Sequence, residues 1–207
     1  MIVRSLQVAL FLIGAVVLLH ETCEAQETKE PAPQYRSGDI VISAATAAEP
    51  KRAQFSLSKA DEHLERGALA WTRGRKCVTC HTNGTYMIVR PALTAQLGKP
   101  NDEIRRFYLA ELQKLKAVAP DKLMAGTRPA QAIFIAAGLS EWDAHVGGKL
   151  SPETDEALRF MFSLQLESGT WGSLDCWPPF ESSAYQEATV AAMAAATAPG
   201  WLKGLED

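Results

Sequence analysis

Residues 151–164 read Ser151-Pro152-Glu153-Thr154-Asp155-Glu156-Ala157-Leu158-Arg159-Phe160-Met161-Phe162-Ser163-Leu164. Serine followed by proline and an acid is a strong helix start. The serine side chain can accept from a first-turn N–H, and proline at the first helical position gives up a donor that the helix leaves unpaired anyway. Ala157, Phe160, Met161 and Leu164 then return at three- and four-residue steps, which places one apolar stripe on one face of a helix.

The same pattern extends outward in both directions. Asn101 can cap a helix with Asp102 and Glu103 in its first turn, and Ile104, Phe107, Tyr108, Leu112 and Leu115 follow a 3.6-residue period. Thr127 or Arg128 opens another, with Pro129 in the first turn and Ala132, Ile133, Ala136 and Ala137 inside. Ser183 and Gln186 form a capping box ahead of an alanine-rich run to Ala198, whose small side chains suit either close helix packing or a surface helix of high propensity. Nearer the N-terminus, Ser58 and Asp61 form a capping box with Leu64, Ala68 and Trp71 on one face. A further helix is expected over 86–97, ended by Gly98 and Pro100. No stretch alternates with period two for long enough to make a strand. The expected fold class is all-α, built from helical hairpins.

Composition agrees with a globular chain of one domain: 207 residues, 47% hydrophobic and 22% charged. With 21 basic and 24 acidic residues the formal charge is −3, so there is no electrostatic case for nucleic acid or an anionic membrane surface.

Residues 1–25 read as a secretory signal peptide. Arg4 supplies the positive start, residues 8–19 are an apolar run too short to span a bilayer, and Ala25 leaves a small residue before Gln26. The competing reading is an uncleaved N-terminal anchor. A lipid anchor at Cys23 is disfavoured because His20-Glu21-Thr22 lacks the small and apolar residues of a lipobox. Residues 26–57 are expected to be a linker of tethering coil, with Ile40-Val41-Ile42 as a candidate short docked strand. The helical domain is expected over 58–207. The mature chain is therefore exported, periplasmic or extracytoplasmic, with no stable membrane span after signal cleavage.

Export gives the cysteines their meaning. The mature chain keeps Cys77, Cys80 and Cys176, an odd number that argues against a simple disulfide framework. Cys77-Val78-Thr79-Cys80-His81 is a CxxCH sequence, the attachment signature of c-type haem. Two thiols three residues apart on a helical turn can both reach the vinyl groups on one porphyrin edge, and the adjacent imidazole can ligate the iron from the proximal side. With 4 Cys and 4 His in the chain, chance would produce the pattern roughly once in a thousand such sequences. The expected cofactor is covalent haem c, held by Cys77 and Cys80, with His81 as the proximal ligand of the iron.

The sixth iron position is open. Met87, six residues after His81, is named as the speculative sixth ligand; Met124, Met161, Met193, His63 and His145 are further candidates, and core filling is the ordinary role for each methionine. His63 reads as a surface or capping residue. A structural zinc site would need Cys176, His63 and His145 to converge on the close pair, and nothing in their spacing demands it. A thioredoxin-like dithiol would follow a strand in a βαβ unit, and no such unit is visible.

Residues 157–172 carry a second pattern. Ala157, Phe160, Gln165, Gly169 and Trp171 fit the QW repeat: a small residue, an aromatic, then Gln, Gly and Trp at set intervals. In this the chain resembles the squalene–hopene cyclase and prenyltransferase-repeat superfamily, in its exported bacterial form bearing a c-type haem motif. A weaker copy has Arg66-Gly67 before Trp71 and Gly84-Thr85-Tyr86 echoing Gly169-Thr170-Trp171, with CxxCH where the repeat would carry its Gln. The resemblance covers about residues 58–202. It implies an α/α toroid of helical hairpins, with Gln165 and Trp171 capping helix ends and tying adjacent hairpins together.

The departures limit what else it implies. Cyclases protonate their substrate with a DxDD motif, which is absent, and the prenyltransferase DxC zinc pair is replaced by adjacent Asp175 and Cys176. No catalytic residue carries over, and the reading leans away from an enzyme. About six helices make three hairpins, half of a closed toroid, so the array is expected to be incomplete: either a second toroid half or homo-oligomer completes it, or the chain is a truncated reading of a longer gene.

Three functions are consistent with these features. The first is an exported haem protein that transfers electrons to an unnamed redox partner protein or senses redox state or small ligands. The second is a haem-free helical binding scaffold, or a zinc-bound one, with the aromatic loop Trp171 to Phe180, carrying Trp177, Pro178 and Pro179, at its rim. The third, terpenoid cyclisation, is disfavoured by the missing acid motif.

Overall fold

The chain is mostly helical, as expected, and its described residues include one short hairpin. The computed structural model describes residues 32–51, 53–172 and 183–205, all but the first of them within the compact unit Pro33–Asp207. The signal-peptide reading of residues 1–25 and the rim residues Asp175, Cys176, Trp177, Pro178, Pro179 and Phe180 lie outside the described residues.

The segment expected as tethering coil contributes a docked element. Strands β1 (Tyr35–Ser37) and β2 (Ile40–Ile42) pair antiparallel, joined by Gly38 and Asp39, with Gly38 at φ +57 as tight hairpin turns require. Ile40 and Ile42 point into the core and Val41 points out, which is the period of two acting over three residues. The hairpin packs on α1 (Leu57–Arg75).

Helix α1 starts two residues earlier than the Ser58 box suggests, because Ser56 rather than Ser58 accepts from the Lys59 N–H. The helix expected over 86–97 is split into α2 (Asn83–Val89), a 3₁₀ turn at Pro91–Leu93 and the short α3 (Thr94–Leu97). Pro91 explains the break, since it cannot donate to the carbonyl four residues back and its ring crowds that turn. Gly98, at φ +76, ends α3.

The remaining starts fall where their caps predict. Asn101 accepts from the Glu103 N–H at the head of α4 (Asp102–Lys116), and Ser151 accepts from the Thr154 N–H at the head of a later helix, α7 (Pro152–Ser163). Between them come the single turn α5 (Pro120–Leu123) and α6 (Arg128–Trp142), extended by a π-helical turn at Asp143–Gly147. Ser183 caps α8 (Ala184–Thr197) through the Gln186 N–H, and a 3₁₀ turn at Lys203–Leu205 comes after it.

Helix α6 is the centre of the core. Every residue of it except Arg128 and Gln131 is buried, and α2, α4, α7 and α8 all pack on it. Its small residues allow that closeness: a Cβ on Gly138 would sit 2.8 Å from the Met87 Cβ and 2.9 Å from the Tyr108 ring. Some alanines of α8 work the same way, with Ala191, Ala194 and Ala195 buried, while Ala192 and Ala196 face out, where only helix propensity is served. Among the described residues no helix is long and apolar enough to cross a membrane.

Candidate functional site

Cys77 to His81 do not lie on a helical turn. They form the connection between α1 and α2, and this loop is shaped by a few side chains that reach back to its backbone. Lys76 ends α1 in the left-handed region at φ 55, ψ 39, and so turns the chain away from the helix axis. The Trp71 indole N–H donates to the Cys77 carbonyl at 3.2 Å, tying the last turn of α1 to the first cysteine.

Asn83 holds the middle of the loop. It is fully buried; its amide donates to the Cys77 carbonyl at 3.0 Å and to the Thr72 hydroxyl at 3.1 Å, and its Oδ1 accepts from the Thr79 N–H at 3.0 Å. Gly84 lies against the same strand of loop, where a Cβ would meet the Thr79 carbonyl oxygen at 1.9 Å. The Thr85 hydroxyl closes the other end by donating to the Cys80 carbonyl at 2.6 Å. Sequence reading missed Asn83 as an organiser. Its signal was present only as a polar residue two places after the motif, and a polar loop residue is ordinarily solvated.

The loop presents three groups. Cys77 and Cys80 are half-buried free thiols. His81 is exposed, with Nδ1 2.9 Å from the Thr82 hydroxyl and its backbone N–H donating to the Thr79 hydroxyl at 3.2 Å. Its ring meets the Trp71 indole edge-on at 5.1 Å between centroids, and the Arg75 guanidinium lies 5.8 Å from that indole. The tautomer that donates from Nδ1–H to the Thr82 hydroxyl leaves the ring lone pair on Nε2.

Two hollows border the loop, and His81 belongs to both. The smaller, about 160 Å³, is bounded by Cys77, Cys80 and His81 together with Trp71, Val78 and Phe134. The larger, about 300 Å³, is a cleft between α1 and α2 that includes Leu57, His63, Leu64, His81, Val89 and Leu97. At the floor of the larger cleft, Arg90 is buried and pairs with Asp61 at 2.6 Å, while donating to the carbonyls of Leu97 at 3.3 Å and Gly98 at 3.0 Å. Tyr86 also borders it and donates to Glu65 at 3.1 Å. Burial, then the neighbouring Glu65 carboxylate, pushes the Tyr86 hydroxyl far above its usual range, so it stays a protonated donor.

The structure thus brings Cys77, Cys80 and His81 to one hollow and His81 and His63 to another. It does not bring Met87 there. Met87 is fully buried on α2 against Gly138 of α6 and borders neither hollow. Met161 is equally buried, and Met124 and Met193 pack partly against the core away from both hollows. His145 instead lies 3.3 Å from Glu141 on the turn after α6. The zinc alternative needs Cys176, outside the described residues; among the described residues no three His, Cys, Asp or Glu side chains are grouped as a metal site requires.

At the end of α7, Gln165 donates to the Gly169 carbonyl at 3.0 Å and the buried Trp171 indole donates to the Met161 carbonyl at 2.7 Å. Both bonds stay within one segment. The Trp171 bond gives the Met161 carbonyl a second donor beside the Leu164 N–H, and Gly169 at φ +83 makes the reversal that brings the indole back.

No protein-family model matches this chain, and no curated protein and no solved structure matches it either.

Proposed function

We propose that this chain is an exported c-type haem protein that transfers electrons or senses redox state or a small ligand. The observation that carries the reading is that Cys77, Cys80 and His81 border one hollow whose other walls include Trp71, Val78 and Phe134. The donor set fits the group: two free thiols for attachment and one imidazole for the iron.

Each thiol would add its S–H across a vinyl double bond, sulfur to one carbon and hydrogen to the other, with no net oxidation. Haem held there would supply one-electron chemistry at its iron. The chain's own part is to hold and orient. Asn83 and Trp71 fix the Cys77 carbonyl, Thr85 fixes that of Cys80, and the Thr82 hydroxyl steadies the His81 ring as second-sphere partners of metal-bound histidines do.

The finer architectural reading, an incomplete α/α toroid, belongs to the same proposal. It rests on the 157–172 pattern, since the bonds of Gln165 and Trp171 stay within one segment and tie no second hairpin, and a second copy completing the ring would show as a dimer mass in solution. Export is tested by the N-terminal sequence of the secreted chain.

The deciding experiment is expression in a host with a working c-type maturation system, followed by denaturation and acid–acetone extraction. Haem that stays with wild-type polypeptide, and is lost from a Cys77→Ser, Cys80→Ser double variant, is the expected result. Wild-type chain without covalent haem sinks the reading and leaves the α1–α2 cleft as the basis of a haem-free binding scaffold.

A further inference from the structure

We propose that the cleft between α1 and α2 is a binding site for a small, uncharged, mainly hydrocarbon molecule. Neither Cys77 nor Cys80 borders it, so this site does not rest on the haem reading.

Gly67 carries the proposal. Glycine is the least favoured residue of a helix interior after proline, and it is kept there where another group must come close to the backbone. At Gly84 and Gly138 that group belongs to the chain itself. A side-chain carbon would lie 1.9 Å from the Thr79 carbonyl oxygen at the first and 2.8 Å from the Met87 Cβ at the second. Gly67 is likewise buried and sits in the interior of α1, yet a Cβ built there meets no described atom within 4 Å beyond the adjoining helix backbone. The space that this Cβ would enter is the cleft, which Gly67 borders.

Shape and charge narrow the occupant. On α1 the cleft follows Leu57, Ala60, Leu64 and Gly67, one face stepped by three and four residues, about 15 Å along the axis. A volume of about 300 Å³ over that length is long and narrow, the form of a hydrocarbon chain rather than of a partner's helix. Leu64 is 53% exposed and Val89 48% exposed, aliphatic surface that such a chain covers on binding. The charges at the floor are engaged with each other: Arg90 pairs with Asp61 at 2.6 Å and donates to the carbonyls of Leu97 and Gly98. A carboxylate would compete with Asp61 for Arg90, and an ammonium with Arg90 for Asp61, each against a buried pair. An uncharged end avoids both contests.

The test titrates 1-octanol, octanoate and octylammonium, one chain with three end charges, into the full chain at pH 8, followed by calorimetry and amide nuclear magnetic resonance. 1-Octanol is expected to saturate, with amide shifts centred on Leu64, Gly67 and Val89, and the two ions to bind at least tenfold more weakly. Gly67→Leu, whose side chain would fill the space, should weaken octanol binding at least tenfold while raising the urea midpoint, because a glycine has left a helix interior. Gly67→Ala should raise the midpoint too and weaken binding less. The Cys77→Ser, Cys80→Ser double variant should bind octanol as the wild type does, so the haem reading can fail without this one. Equal affinity for the three probes, octanol binding unchanged in Gly67→Leu, or no saturable octanol binding overturns the proposal. A dimer that 1-octanol dissociates, seen by sedimentation, overturns it in favour of a second copy as the occupant.

Discussion

The α carbon of Gly84 stands so close to the Thr79 carbonyl that a side-chain carbon there would lie 1.9 Å from its oxygen and 3.1 Å from the Phe134 ring. No rotamer change relieves a clash with backbone, so the loop itself would have to move. Gly84→Ala is expected to cost about 1–3 kcal/mol, the range for overpacking a filled site. It should also lower the yield of covalent haem, because the displaced backbone joins the two cysteines. Equal yield and equal urea midpoint in the variant and wild type would contradict this placement.

Asn83 makes three hydrogen bonds from a fully buried position. At about 1 kcal/mol each, Asn83→Ala should lose about 3 kcal/mol, with more if the Thr72 hydroxyl or Cys77 carbonyl stays unpaired. Asn83→Asp is no full rescue: it keeps the acceptor for Thr79, and the Thr72 hydroxyl can turn to donate, but a buried carboxylate oxygen then faces the Cys77 carbonyl. Urea denaturation of the two variants, read at the same m-value, measures both effects.

The pair Arg90–Asp61 is largely buried, with side-chain exposures of 5% and 16%. Removing the arginine leaves a carboxylate and two carbonyls without their donors, so Arg90→Met is expected to cost about 3–5 kcal/mol. Arg90→Lys should cost less, as it keeps the charge beside Asp61 but cannot fork to Leu97 and Gly98. A smaller loss of thermal midpoint for Met than for Lys would show that the buried charge beside Asp61 is not what stabilises this corner.

Asp155 is held below the usual carboxylate range, first by its hydrogen bonds with Arg159 and also by the Trp201 indole, which donates at 2.9 Å. A lowered folded pKa means the folded chain holds the proton less tightly than the unfolded chain. The stabilisation is therefore complete above the ordinary aspartate value, about 3.9, and disappears as pH falls through the lowered folded value. The Arg159 pair is well exposed, so the effect should be small, about 0.5 kcal/mol. The difference in stability between wild type and Asp155→Asn, followed from pH 7 to pH 3, should shrink towards the acid end.

Helix starts were legible because caps are local. Asn101, Ser151 and Ser183 each satisfy an N–H two or three residues on, and a short window of sequence contains both partners. The start of α1, at Ser56 instead of Ser58, is a choice between two serines that offer the same chemistry two residues apart. The break at Pro91 is equally local, and its missing N–H is the signal that separates 83–89 from 94–97.

The candidate site divides along the same line. By itself the sequence placed two thiols and an imidazole at the spacing of Cys77, Cys80 and His81, since identity and spacing are covalent facts. It also determined the helical class, since a 3.6-residue apolar period needs no distant partner. Only the tertiary structure decided that Met87 belongs to the core against Gly138, that His63 shares a cleft with His81, and that Asn83 and Gly84 shape the loop. Those roles depend on contacts between helices, or on a backbone approach at one angle, and the packing of α1, α2 and α6 sets them. Residue type and spacing carry no record of which faces meet.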